Sequence, residues 1–454
     1  MIQIATILWQ YLKTKYRQPF RTREELMQWQ NKKVETFLSK ILPRSPFYQD
    51  YYQNRSIHDW RKFPTIDKQI MMEHFDSLNT AGIQKEEAFQ LALQAEESRD
   101  FTPMIRDITV GLSSGTSGNR GLFLVSKQER LRWAGVMLAK LLPRSLFQPH
   151  RVALFLRANS NLYSSIQQGK IQFRFFDLIK PVEQHLQPLL DYQPTILVAP
   201  PSLLRLLAEE KRFGKLSIQP EKIISVAEVL EPLDRKQIEA VFDQTLHQIY
   251  QATEGFLATT CEHGTLHINE DILVVQKEYL DHDSGKFSPI ITDFHRITQP
   301  IIRYRLNDIL VEKKDPCPCG SPLMAIETIE GRCDDIFIFL AQNQHKPITV
   351  FPDFIRHAII SAHPAIEEYR VIQHQMDQLE ISLRISDGET QQIEQAVIQA
   401  IKKLCQKLQC QMPKIHFTPY QYQTGVTKLR RIQRNFSLAT HDSEGDNNHE
   451  YPTL

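Results

Sequence analysis

Between Gly111 and Gly121 the chain reads GLSSGTSGNRG, four glycines and four hydroxyl side chains in eleven positions. Two chemistries fit such a run. Gly111-Leu112-Ser113-Ser114-Gly115 satisfies the G-x-S-x-G pattern of a serine raised on a strand-to-helix turn to attack an ester. The same amides and hydroxyls can instead wrap phosphate oxygens, with Arg120 as a cation. A nucleophile of this kind needs a helix directly after the serine, and TSGNRG cannot begin one before the apolar LFLVS resumes as a strand. A Walker loop fails too, because no Gly-Lys-Ser/Thr follows at the required distance. What is left is a hairpin loop after DITV, for which a phosphate cradle and a plain surface loop weigh evenly.

Cys261, His267, Cys317 and Cys319, in CEHGTLH and CPCGS, form a second constellation. Thiolates and imidazoles from two distant segments suit tetrahedral zinc, with His263 competing with His267 for the fourth place and the C-x-C spacing weaker than a pair of C-x-x-C motifs. Cys333, Cys405 and Cys410 are read as packing residues. Six cysteines scattered from 261 to 410 are no disulfide scaffold, which gives the expectation of a reducing, cytoplasmic setting.

The elements that must carry these residues follow from length and pattern. A chain of 454 residues predicts two or three domains, and 54 basic against 53 acidic side chains exclude a whole-molecule field that would recruit nucleic acid. No apolar run is long enough to span a bilayer. The opening MIQIATILWQYLKTKYR lacks the basic lead and cleavage site of a secretory signal and reads as an amphipathic helix. Residues 1–100 read as mainly helical, with Thr65-Ile66-Asp67 as a capping turn. From 105 to 330 short β-rich runs (RVALFLRA, PTILVAP, KIISVAEVL) alternate with helices, which predicts an α/β domain with mixed and parallel sheets.

A boundary is expected at IEGRCDDIF, Ile329 to Phe337. Beyond it PITV, a helix, EYRVIQH, QLEISLRIS, a long helix and KIHFTPY give the order β-α-β-β-α-β of a small ferredoxin-like α+β domain. In the long helix Ile393, Val397, Ile401, Leu404 and Leu408 share one face. The expected division is 1–330, a hinge at 331–335, a mobile domain at 336–436 and a polar, disordered tail at 437–454.

Read together, the motifs resemble those of the adenylate-forming superfamily in their order along the chain: the glycine-rich loop, ILVAPPSLLRLLAEE, SVAEVLEPLDR, YQATEG (Tyr250 to Gly255), IIRYRLNDI, GRCDD and TGVTKLRRIQR. SPFYQDYY, FPTIDKQIMMEHF and LHINED are similar to the phenylacetate-CoA ligase branch, which also holds capsule-cluster proteins. The resemblance implies ATP and Mg²⁺ as cofactors, with Ser113, Ser114, Gly115, Thr116, Ser117, Gly118 and Arg120 at the outer phosphates. It implies Ala227 and Glu228 at the adenine, Tyr250 in contact with ATP, Asp308 at the ribose, Arg332 beside the nucleotide, and Thr253 and Glu254 at the α-phosphate and magnesium. It further implies Asp334 in a hinge, zinc on Cys261, His267, Cys317 and Cys319, and Lys428 as the lysine that enters the site. The family's Gly-Lys pair is here Gly425-Val426-Thr427-Lys428, so Arg430 and Arg431 stand as alternatives.

The implied activity is adenylation of a carboxylic acid, aromatic by resemblance, and transfer of the acyl group to CoA or to the pantetheine of an acyl carrier protein. A nucleotidyltransferase that places AMP on a hydroxyl, and a degenerate nucleotide- or acyl-binding subunit, are the readings from other classes. Taken without the motif order, Glu254 reads as an ordinary capping charge, Asp308 as a turn residue and the Lys428 segment as a solvated basic strand.

Overall fold

A computed structural model describes residues 2–113, 120–156, 170–342, 346–386, 388–421 and 429–436. Ser114, Gly115, Thr116, Ser117, Gly118, Lys428 and the tail from 437 lie outside these described residues.

The helical lead-in is stopped and started by local chemistry. Thr22 caps Arg23–Ile41, Ser45 caps Pro46–Tyr51, and Asp67 caps Lys68–Glu73 by accepting the Ile70 amide at 2.9 Å. The Thr65-Ile66-Asp67 turn is thus a helix start. Ile66 also joins the main body through its amide, which donates to the Arg303 carbonyl at 3.1 Å.

Ile108–Leu112 and Leu122–Ser126 pair antiparallel across the glycine-rich loop, as the sequence predicts. Ser126 and Glu129 then form a reciprocal capping box that starts the helix Lys127–Leu141 immediately after the second strand. Among the described residues, twelve strands form one mixed sheet. Its parallel half has Ile171–Asp177, His150–Leu156, Ile196–Ala199, Lys222–Ser225 and Leu246–Ala252 side by side. Ile196–Ala199 and Lys222–Ser225, in the interior of this half, owe their apolar runs to burial on both faces, whereas Ile171–Asp177 at the edge is partly exposed. At Leu246–Ala252 the sheet turns antiparallel through the tight connection to Gly255–Thr260, and that change of direction puts Thr253 and Glu254 in the turn.

Past Arg332 a short 3₁₀ turn, Cys333–Asp335, leads into the last third of the chain. Lys414–Pro419, Gln378–Ile385, Ile366–Gln375 and Ile432–Arg434 form a four-stranded sheet backed by Pro352–Ile360 and Thr390–Lys407. Ile393, Val397 and Ile401 are fully buried in its core, with Leu404 and Leu408 packed at the margin. The first strand of the expected β-α-β-β-α-β order sits elsewhere. Pro347–Val350 pairs with Phe337–Leu340 in a separate ribbon, and Ile432–Arg434 takes the free edge of Ile366–Gln375 in parallel. A nearby antiparallel partner closes a short loop, which costs less chain entropy than pairing across the domain. Among the described residues no helix is long and apolar enough to cross a membrane.

Candidate functional site

One cavity of about 1980 Å³ opens where the parallel strands end and is lined by both parts of the chain. That exceeds the ~300–1,000 Å³ of a single small-ligand site, so there is room for two reactants side by side. Ser113, Arg120, Ala227, Glu228, Tyr250, Thr253, Glu254, Asp308, Arg332 and Asp334 all line it.

The base of the glycine-rich loop is closed by its own backbone. The Ser113 amide donates to the Gly121 carbonyl at 2.7 Å, and the Gly121 amide donates to Ser113 Oγ at 2.7 Å. Ser113 therefore holds the two strands together, and among the described residues its hydroxyl accepts only the Gly121 amide. Arg120 pairs with Glu96 and also reaches the Ser113 carbonyl at 3.4 Å, so it ties the base of the hairpin to the helix that carries Glu96.

Glu254 receives the Tyr304 hydroxyl on one oxygen and the Thr253 hydroxyl on the other, both at 2.8 Å. The carboxylate is thereby aimed into the cavity, and burial together with Glu254 pushes the Tyr304 hydroxyl far above its ordinary pKa. Tyr250 donates to Asp308 at 2.5 Å, and Asp308 lies directly across the strand pair from Arg332. Ala227 sits in left-handed backbone conformation with φ 71° at the end of Lys222–Ser225, a strained position for a residue with a Cβ.

Glu228 accepts the Leu429 amide at 3.1 Å and the Ser202 amide at 3.4 Å, while burial pushes its carboxyl up. The contact brings the residue after Lys428 to the cavity. Arg430 and Arg431, the alternatives to Lys428, are both committed elsewhere: Arg430 pairs with Asp335, and Arg431 with Asp234 at 2.7 Å and Glu368 at 3.0 Å. Arg431 is buried among its carboxylates, while Arg430, held by Asp335, lines the cavity.

Sequence reasoning missed Lys68 and Tyr304. Lys68 runs past the loop base, its Cε 2.9 Å from where a side chain on Gly121 would begin, and Glu254, Arg120 and Arg332 all act on its charge. The signal was the cap itself: a helix start one residue earlier points the first helical side chain at the loop. Tyr304 was visible as the tyrosine of RYR, but its carboxylate partner lies fifty residues away.

At Gly331 φ is 150°, a backbone setting that favours glycine at the start of the expected hinge. Asp334 accepts from the Asn307 side-chain amide, and its own carbonyl accepts from Arg434 at 3.3 Å. Farther off, the ligand atoms of Cys261, His267, Cys317 and Cys319 lie within 4.8 Å of one another. His267 Nδ1 is 3.1 Å from the Leu323 carbonyl, which leaves Nε2 toward the thiols, 3.4 Å from Cys319 Sγ. His263 stands apart, beside Glu262.

No protein-family model matches the chain. Protein CapK of Staphylococcus aureus is 27% identical over 175 residues, and the match spans 38% of this chain and 37% of that protein. Among solved structures, 2-hydroxyisobutyryl-CoA ligase in the postadenylation state with an acyl-AMP superimposes with a TM-score of 0.66 at 15% identity, covering 93% of this chain and 91% of its own. The same ligase in its thioesterification state gives 0.54 at 16% identity, covering 93% and 91%. Amide bond synthetase McbA from Marinactinospora thermotolerans gives 0.53 at 12% identity, covering 72% and 69%. The chain has the mixed α/β fold of the adenylate-forming ligases, as the order of its motifs suggested.

Proposed function

We propose that this protein activates a carboxylic acid with ATP and passes the acyl group to a thiol, with CoA as the acceptor favoured by the likeness to CoA ligases and a carrier-protein pantetheine as the other candidate. The acid's carboxylate oxygen attacks the α-phosphorus, the bond to the bridging oxygen breaks, and pyrophosphate departs. The acyl-AMP so formed is then attacked by the thiolate sulfur, and AMP leaves with the acyl C–O bonding pair. The first step needs charge held on the α-phosphate and water kept away.

The observation that carries this reading is the meeting, in one cavity, of the Tyr304–Glu254–Thr253 and Tyr250–Asp308–Arg332 groups with the Leu429 amide on Glu228. Glu254 is the candidate magnesium ligand, Asp308 the candidate ribose acceptor, and the loop 113–121 the candidate cradle of the outer phosphates. Lys428 is the candidate cation for the adenylation transition state. The better superposition on the postadenylation than on the thioesterification form supports an adenylation-competent arrangement. Ligand distances within the Cys261, His267, Cys317 and Cys319 cluster and the fixed tautomer of His267 support a structural zinc there.

Carboxylate-dependent exchange of pyrophosphate into ATP tests the assignment. Exchange across a panel of aromatic and aliphatic acids is the expected result. AMP transfer without a carboxylate would move the protein to the nucleotidyltransferases, and ATP binding with neither activity would make it a degenerate binding subunit.

A further inference from the structure

The helix Lys127–Leu141 turns one face to the cavity: Glu129, Arg132, Trp133 and Val136, spaced at three, four and seven residues. The opposite face is closed by the N-terminal helix, whose Gln10 side chain and Ile7 carbonyl lie 2.7 Å from a Cβ built at Gly135. The same cavity is lined, besides this helix face and the Thr253–Glu254 turn, by Phe256, Asp293 and His295. Arg296, next to His295, reaches the Thr253 carbonyl at 3.3 Å.

Charge in this part of the lining is out of balance. Glu129 accepts the Ile297 and Thr298 amides at 2.6 and 2.9 Å and both hydroxyls of Ser126 and Thr298, with Arg296 beside it. Asp293 accepts the His295 amide at 2.8 Å and faces the same Arg296. Asp271 is taken by Lys140 at 2.9 Å. Arg132 makes no hydrogen bond or ion pair among the described residues, and Lys13 and Lys33 add like charge close by. Burial first, then Lys13 and Arg132, push the His295 imidazole down to about 4, so at neutral pH it is an uncharged ring with one N–H to donate. Among the described residues the Arg132 guanidinium and the neutral His295 imidazole, which share a cavity lining with Trp133, Phe123 and Phe256, have no acceptor, and a guanidinium takes a carboxylate through two parallel N–H bonds.

We propose that the acid activated here is dianionic: one carboxylate reacts at the Thr253–Glu254 turn, and a second anionic group is held by Arg132 with His295 in the same cavity. The inference rests on the ligase reading, and it names the substrate class as a dicarboxylic or similarly doubly charged acid of modest length.

The test is pyrophosphate exchange with matched pairs, adipate against hexanoate and terephthalate against para-toluate, in wild type, Arg132→Gln and Arg132→Lys. One charge-assisted contact gives a dianion preference in kcat/KM of about tenfold to a hundredfold, which collapses toward unity in Arg132→Gln and is partly kept in Arg132→Lys. The preference resides in KM, whereas a merely structural effect would scale both acids of a pair alike. Equal kcat/KM within each pair in wild type, or a preference that survives Arg132→Gln, would overturn the proposal. No exchange with any acid would remove the ligase reading, and calorimetric titration of the same acids then decides the subsite alone. Dianion binding lost in Arg132→Gln supports it, and absent or charge-blind binding overturns it.

Discussion

Ser113 carries the clearest lesson at the scale of single residues. Its hydroxyl is occupied by the Gly121 amide, so its work is to hold the loop's base shut. Ser113→Ala should raise KM for ATP a few-fold, about 1 kcal/mol, with kcat little changed, because a single neutral hydrogen bond is lost. Steady-state pyrophosphate exchange measures this, and total loss of activity would return the serine to the role of nucleophile. Asp293 makes a pH prediction. Burial raises its carboxyl to about 7 from an ordinary 3.8. Between these values the native state holds a proton that the unfolded chain has released, so this contribution is full below about pH 4 and lost as the pH climbs through 7. Asp293→Asn, neutral throughout, should therefore gain in Tm over wild type as the pH rises from about 5 to 8. A pH-independent difference in scanning calorimetry would refute the shift.

Short elements between the strands hold the next level of control. The connection that carries Cys317 and Cys319 is anchored to the sheet by Cys261 on one side and His267 on the other, with the Cys261 and Cys317 sulfurs 3.7 Å apart. Cys319→Ser should release zinc, read by elemental analysis as a fall from near one ion per chain to near none, and lower Tm by several degrees. Wild-type protein purified without zinc would end that assignment. In the 3₁₀ turn, Asp334 joins the two parts of the chain through Asn307 and Arg434. Asp334→Pro fixes φ at the expected hinge, so acyl transfer to the thiol should drop by about tenfold or more while adenylation is spared. Equal loss of both half-reactions would show that the turn is no hinge.

The whole molecule is held in one arrangement by a seam of buried charge. Arg205, Glu231 and Asp234 from the large part meet Arg356, Glu368, Tyr369 and Arg431 from the small one. Asp234 is 0% exposed and grips both nitrogens of Arg431, at 2.7 and 2.9 Å. Arg431 lies two residues after Leu429, whose amide meets Glu228, so the seam also fixes how the chain from Leu429 onward enters the cavity. Arg431→Met should leave buried carboxylates under-paired, at a cost of about 3–5 kcal/mol to this arrangement. Adenylation should then fall on the order of a hundredfold through misplacement of the segment, with transfer from supplied acyl-AMP largely retained. Parallel loss in both half-reactions would reduce the seam to general stability.

By itself the sequence determined what local chemistry can determine: the hairpin flanking GLSSGTSGNRG, the strand-helix alternation, the capped start at Asp67, the apolar face of Thr390–Lys407 and the residue types at each motif. Each rests on contacts within a few residues, which composition and period encode. The tertiary structure decided partnership. It gave Glu254 to Tyr304, Arg431 to Asp234 and Pro347–Val350 to Phe337–Leu340, chose His267 over His263 among the cluster's histidines, and left Arg132 in the cavity lining with no ion pair among the described residues. Those outcomes depend on which distant groups share a buried space, where an unmet charge or donor is costly, and no spacing along the chain records that.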